Sequence, residues 1–131
     1  MYGRPPGPLA APYDARVSTD CLFCRIVAGE IPAQVVHETP HALAFRDINP
    51  QAPTHVVVVP RAHHADAGSL AEADPALAGE LLRAAREVAE GEGIAESGYR
   101  LVFNTGAGAG QTVFHVHCHV LGGRPMTWPP G

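Results

Sequence analysis

Hydrophobic positions fall into short runs punctuated by proline and glycine, and one stretch alone carries a sustained helical period. That stretch opens at Asp74, a good N-cap residue, with Pro75 at the first helical position, where its missing N–H is no loss. Leu77, Leu81, Ala84 or Ala85, and Val88 recur on one face, charged residues cover the other, and Gly91 and Gly93 stop the helix. Upstream, residues 23–29 read as a short helical turn, ended by Gly29 and followed by Ile31-Pro32, which imposes extended backbone. Residues 34–38 and 42–47 read as two short strands joined at Thr39-Pro40. The run His55-Val-Val-Val-Val-Pro60 is too continuously apolar for a strand with one wet face, so it belongs at the centre of a sheet. Residues 99–104 and 112–121 give two more strands, separated by a Gly/Ala-rich loop. The order predicts an α+β fold: a five-stranded antiparallel sheet with one long helix and a short N-terminal helix. Residues 1–19, rich in Pro and Gly without hydrophobic period, read as a loosely ordered tail, and residues 20–131 as one domain.

With 131 residues, 46% hydrophobic and 17% charged, the chain is long enough for one real core and too apolar for global disorder. No apolar run approaches the ~20 residues a membrane span requires, and no signal peptide is recognisable, which together point to a cytoplasmic protein. A net charge of −4 argues against nucleic-acid binding, which needs clustered cations. All nine cations are Arg, so a Lys Schiff base, a Walker lysine and a Ser–Lys dyad are excluded together.

Eight histidines are a high count for this length, and three of them form His115-Val116-His117-Cys118-His119. On a strand, period-2 alternation sends the three imidazoles to one face and Val116, Cys118 and Val120 to the other. Two chemistries suit such a row. One is a metal cage, although no carboxylate follows Glu96 to complete it. The other is nucleophilic catalysis, with backbone N–H groups of the loop 106–110 holding developing charge. The pair Cys21-Leu22-Phe23-Cys24 reads as half a zinc site, a redox pair or two packed thiols, and Cys118 as a small buried side chain.

The row His115–Leu121 resembles the His-φ-His-φ-His-φ-φ signature, φ being apolar, of the histidine triad superfamily. Glu30-Ile31-Pro32-Ala33, Pro50-Gln51-Ala52-Pro53-Thr54-His55, Gly98-Tyr99-Arg100, Gly122-Gly123-Arg124 and Trp128-Pro129-Pro130-Gly131 extend the resemblance to the Hint branch across residues 21–131. It implies a homodimeric hydrolase of purine nucleoside 5′-phosphoramidates, with AMP or GMP joined through P–N to an amine. By position, His117 would be the nucleophile, His119 would contact phosphate and leaving group, and His55 and His115 would support them. Leu22, Phe23, Ile26 and Phe45 would sandwich the purine, Asp47, flanked by Ile48, would take the ribose hydroxyls, and Asn104, Gly110, Gln111 and Thr112 would line the phosphate. On residue type alone Phe23, Ile26 and Phe45 are core side chains, Asp47 a turn-former and Asn104 a loop cap. Bacterial relatives with Cys-x-x-Cys here resemble zinc binders, implying a structural zinc on Cys21, Cys24, His63 and His115, with His64 the competitor of His63. The same resemblance leaves two rivals: a dinucleoside polyphosphate hydrolase, and a zinc-stabilised nucleotide-binding module with weak catalysis.

Overall fold

The computed structural model describes residues 20–131; the tail expected over residues 1–19 lies outside them. Five strands, β1 (Val35–Glu38), β2 (Ala42–Arg46), β3 (Thr54–Pro60), β4 (Tyr99–Val102) and β5 (Cys118–Gly122), form one sheet in the order β1-β2-β3-β5-β4. Every neighbouring pair is antiparallel. Strand β3 lies at the centre and every one of its residues is buried, as its unbroken apolar run demands. Its two faces meet different partners. Val56 and Val58 join Ala42, Ala44, Val116, Cys118 and Val120 in the larger core, while Val57 and Val59 join Leu43, Phe45 and Phe23 in a smaller one.

The larger core is closed by α3 (Pro75–Gly91), whose buried positions Leu77, Leu81, Ala84, Ala85, Val88 and Ala89 are those its helical period selects. Asp74 caps it by accepting from the Leu77 amide. Past Gly91, Gly93 turns the chain with a positive φ of 75° and Ile94 folds back, its amide donating to the Ala89 carbonyl. The opposite face carries α1 (Leu22–Val27), one and a half turns whose N-cap is Cys21, the sulfur accepting from the Cys24 amide. The sheet therefore has a thickly covered face and a thinly covered one. The histidines occupy the thin one.

Two elements differ from expectation. A helix α2 (Ala67–Ala73) precedes α3, capped by Asp66, and Asp74 ends it while starting the next helix. Its only buried residue is Leu70, so no apolar period announced it. Strand β5 starts at Cys118, six residues later than the expected start at Thr112. Just before it the chain is held by the Val116 amide donating to the His64 carbonyl at 2.7 Å, outside the main ladder.

Leu81 is fully buried and its neighbour Leu82 is 51% exposed. Leu81→Ala should lower the unfolding free energy by about 2–5 kcal/mol, and Leu82→Ala by no more than ~0.5 kcal/mol. Urea denaturation of the two variants checks this, and equal losses would contradict the packing of α3.

Candidate active site and metal centre

Alternation does send the three imidazoles to the α1 face. The Phe23 ring meets His115 and His117 edge-on, with centroids 6.0 and 5.1 Å away, and the His117 and His119 centroids are 4.9 Å apart. His115 and His117 are buried and His119 is half-buried. Val116, Cys118 and Val120 point the other way into the larger core. Burial pushes the Cys118 thiol up to about 12, which makes it an inert packing residue.

Hydrogen bonds fix the tautomer of each ring, because a carbonyl oxygen only accepts and a backbone N–H only donates. His117 Nδ1 lies 2.8 Å from the His115 carbonyl and therefore carries the proton, leaving a lone pair on Nε2. On His55, Nδ1 accepts from the Gln51 amide at 3.0 Å, so Nε2 carries the proton and donates to His119 Nδ1 at 2.9 Å. His119 in turn holds its proton on Nε2. Neither His117 Nε2 nor His119 Nε2 bonds another described residue. The thin face thus presents one lone pair beside one N–H donor.

Electrostatics keep these rings neutral. Burial lowers the His117 pKa, opposed by its bond to the His115 carbonyl. Burial, and then the neighbouring His117 and His55, hold His119 down to about 4. Asp47 opposes the shift with Oδ2 at 3.4 Å from His55 Nε2 and 3.9 Å from His119 Nδ1, while its Oδ1 accepts from the Asn49 amide. Asp47 thus faces the histidine pair, beyond the turn-forming role its residue type suggests.

A second cluster lies at the other end of the row. His115 Nε2 donates to the Pro60 carbonyl at 2.9 Å, which turns its Nδ1 lone pair toward Cys21 Sγ at 3.4 Å, Cys24 Sγ at 3.5 Å and His63 Nδ1 at 3.2 Å. Cys24 Sγ is also 3.3 Å from His63 Nδ1. A tetrahedral metal with M–N of ~2.1 Å and M–S of ~2.3 Å needs ligand–ligand edges of roughly 3.3–3.8 Å. The observed separations fit to within about 0.3 Å. The hydrogen bond from the Cys24 side chain, aided by His115 and opposed by burial, holds the Cys21 thiol down to about 3, the thiolate a metal needs. The Pro60 carbonyl is the outer partner that orients a ligating imidazole. Two sulfurs and two imidazole nitrogens converging on one point can hold a metal. His64 stands outside the cluster, its carbonyl paired with Val116.

The remaining expected residues distribute unevenly. Phe23 and Phe45 are buried, in edge contact with centroids 5.5 Å apart, and half-buried Ile26 packs against them. Leu22 and Ile48 are exposed, Ile48 completely, so both offer apolar surface to a ligand. Thr112 is exposed and Asn104 half-buried, and neither side chain hydrogen-bonds another described residue. Gln111 is different. It is buried, its Oε1 accepts from the Gly106 amide, and its Nε2 donates to the Ala65 and Val113 carbonyls. The amides of Ala109, Gly110 and Gln111 donate within the loop, around a turn of 3-10 helix at Ala107–Ala109. The glycine loop is therefore a self-bonded turn. The groups that fix the rings, the Pro60 and His115 carbonyls and the Gln51 amide, are backbone atoms with no signature in residue type.

Fold and site together define a class: an antiparallel sheet that aligns an alternating histidine row beside a Cys/His cluster. The HIT domain model matches residues 28–126, and the chain belongs to the HIT domain family. It is 49% identical over 115 residues to an uncharacterized HIT-like protein of Synechocystis, covering 88% of this chain and all of that protein. It is 49% identical over 113 residues to a 14 kDa zinc-binding protein of Zea mays, covering 84% and 87% of the two chains. Among solved structures, a HIT family hydrolase from Legionella pneumophila superposes with a TM-score of 0.81 at 54% identity, covering 85% of this chain and 99% of that one. A HIT family hydrolase from Clostridium thermocellum gives 0.82 at 43% identity, covering 85% and 96%.

The depressed His119 pKa has a definite sign. A neutral imidazole favoured by the fold contributes stability that is complete above the unfolded value of ~6.5 and lost as pH falls toward 4. An NMR titration should place the His119 midpoint near 4, and a midpoint at 6.5 or above would contradict the burial of this ring.

Proposed function

We propose that this chain hydrolyses the P–N bond of purine nucleoside 5′-phosphoramidates through a nucleotidyl intermediate on His117. The observation that carries the reading is the His117 ring itself: buried, neutral, with Nδ1 committed to a carbonyl and an unshared Nε2 pair facing the thin side. Support also comes from the solved relatives named HIT family hydrolases. The base would lie against the apolar surface formed by Leu22, Ile26 and the packed Phe23–Phe45 pair. Asp47 would meet the ribose, and Asn104, Thr112 and the loop ending at Gly110 and Gln111 the phosphate.

In the first half-reaction the His117 Nε2 pair forms a bond to phosphorus and the P–N bond breaks, its electron pair staying on the departing nitrogen. That nitrogen must gain a proton. His119 Nε2–H would pass its proton to the amine as Nδ1 takes one from solvent, the His55 Nε2–H turning to Asp47 Oδ2 3.4 Å away, a contribution of roughly 10²–10⁴-fold. In the second half, water attacks phosphorus and gives its proton to His119 Nε2, Nδ1 releases one to solvent, and His117 Nε2 recovers its pair. His55 supports His119 by its hydrogen bond. The metal proposed for Cys21, Cys24, His63 and His115 is zinc in a structural role, since four protein ligands leave no open position. It would tie α1, which carries Phe23, to the segment before β5 that carries His117. The outer edge of β4, unpaired among the described residues, and Trp128, 82% exposed, support a two-fold dimer of this chain. Among the described residues no helix is long and apolar enough to cross a membrane, in keeping with a cytoplasmic place.

His117→Ala should reduce kcat on AMP-amide by on the order of 10⁴-fold while AMP binding survives. Variants retaining more than a few per cent of activity would rule His117 out as nucleophile. Preferred turnover of a diadenosine polyphosphate would favour the rival hydrolase, and tight AMP binding without turnover the binding module. For the metal, purified protein should hold about one zinc per chain by elemental analysis. Cys21→Ser and His63→Asn should lose it with a clear fall in Tm, and His64→Asn should keep it. Loss from His64→Asn with retention by His63→Asn would overturn the ligand set.

A further inference from the structure

The Gly122-Gly123-Arg124 segment takes no part in the proposed chemistry, yet its geometry is tightly determined. Gly123 has a positive φ of 87°, and a Cβ there would sit 2.9 Å from Pro53 Cβ. Only glycine lets the chain leave β5 pressed this closely against the loop before β3. The next residue then crosses that loop. Arg124 Nε and Nη2 both donate to the Gln51 carbonyl, at 3.2 and 3.0 Å, and Nη1 donates to the Pro125 carbonyl at 3.1 Å.

Gln51 is the residue whose amide fixes His55. Its side-chain Nε2 donates to the Asn49 carbonyl at 3.0 Å, and the Asn49 amide donates to Asp47 Oδ1 at 2.8 Å. The guanidinium fork joins this loop to the end of β5, beside the Thr54–Gly122 end of the ladder and the Gly123–Pro53 contact. A continuous chain of hydrogen bonds results: Arg124 to the Gln51 carbonyl, the Gln51 amide to His55 Nδ1, His55 Nε2 to His119 Nδ1. We infer that Arg124 is a positioning residue for His119, holding Gln51 so that His55, and through it His119, keep the tautomer with Nε2–H facing the reacting phosphate.

The alternative arrangement is well defined. When the Gln51 amide leaves His55 Nδ1, that nitrogen can take the ring proton. His55 Nε2 then becomes an acceptor, and His119 must donate from Nδ1. His119 would turn a lone pair instead of an N–H toward the phosphate oxygens and the departing nitrogen. Affinity for the base, assigned above to Phe23, Phe45 and their apolar neighbours, does not depend on which nitrogen of His119 carries the proton and need not change. The defect belongs in kcat. Lysine, a point charge without a planar fork, can bond the Gln51 carbonyl once but cannot grip it through two donors.

The inference rests on the phosphoramidase reading, so its test has one readout that does not. Full-length protein labelled with ¹⁵N-histidine, as wild type, Arg124→Met and Arg124→Lys, is examined by long-range ¹H–¹⁵N NMR, which distinguishes Nδ1–H from Nε2–H. The same proteins are assayed on AMP-amide. Wild type should show His119 as the Nε2–H tautomer, Arg124→Met a mixture of both, and Arg124→Lys an intermediate proportion. The kcat of Arg124→Met should fall on the order of tenfold, a part of the ~10²–10⁴-fold available to a proton donor, with KM changed less than about threefold. A kcat loss without tautomer change, or tautomer change without kcat loss, overturns the inference, as does wild-type behaviour in both readouts. Should Arg124→Met fail to fold, Arg124→Lys carries the same two comparisons. Wild type inactive on AMP-amide would defeat the phosphoramidase reading alone, and the tautomer comparison would still decide whether Arg124 governs His119.

Discussion

The hydrogen bond from His117 Nδ1–H to the His115 carbonyl, 2.8 Å long, decides which nitrogen of the central histidine is available for chemistry. It joins residues two apart in the segment just before β5, so it needs no partner from elsewhere in the fold. It does need His115 to be immobile. That is met from outside the row, by the Pro60 carbonyl on one ring nitrogen of His115 and the Cys21, Cys24 and His63 cluster at the other. The metal cluster and the nucleophile are therefore consecutive stations on the segment that leads into β5. A disturbance of α1 reaches His117 by two routes: the backbone of His115, and the edge of the Phe23 ring.

The sheet makes this economical. Strand β3 is buried on both faces, and each face has a distinct task. One supports α3 through small side chains, Ala84, Ala85 and Ala89, that let helix and sheet approach closely. The other keeps the imidazoles half in a low-dielectric environment, where burial lowers the pKa of His55, His117 and His119 together. Neutral imidazoles at ordinary pH follow from that placement. A nucleophilic nitrogen and a neighbouring N–H donor can then coexist without mutual charge repulsion.

Much of this was legible in the sequence, and the failures share a cause. Helix α3 was readable because Asp74, Pro75 and a helical period agree, and β3 because Val56 to Val59 admit no exposed face. The one-sided histidine row followed from alternation alone. Helix α2 was hidden because Leu70 is its single buried residue, which makes no period. The structural bonds of Gln111 were equally unannounced, its amide joining the glycine loop to Ala65 and Val113. The tautomers were beyond reach. They are set by the Pro60 and His115 carbonyls and the Gln51 amide, and backbone atoms are the same in every residue type. Side-chain identity shows where imidazoles gather, and tertiary structure decides what each nitrogen does.

The central claim is that phosphorus is displaced twice, first by His117 Nε2 and then by water. Each in-line displacement inverts the phosphorus centre, so two restore it. The direct measurement is the stereochemical course of hydrolysis of an AMP phosphoramidate made chiral at phosphorus with sulfur and run in isotopically labelled water. Net retention of configuration is the result the account predicts. Net inversion would mean a single attack by water and would contradict it, whatever the activity of the enzyme.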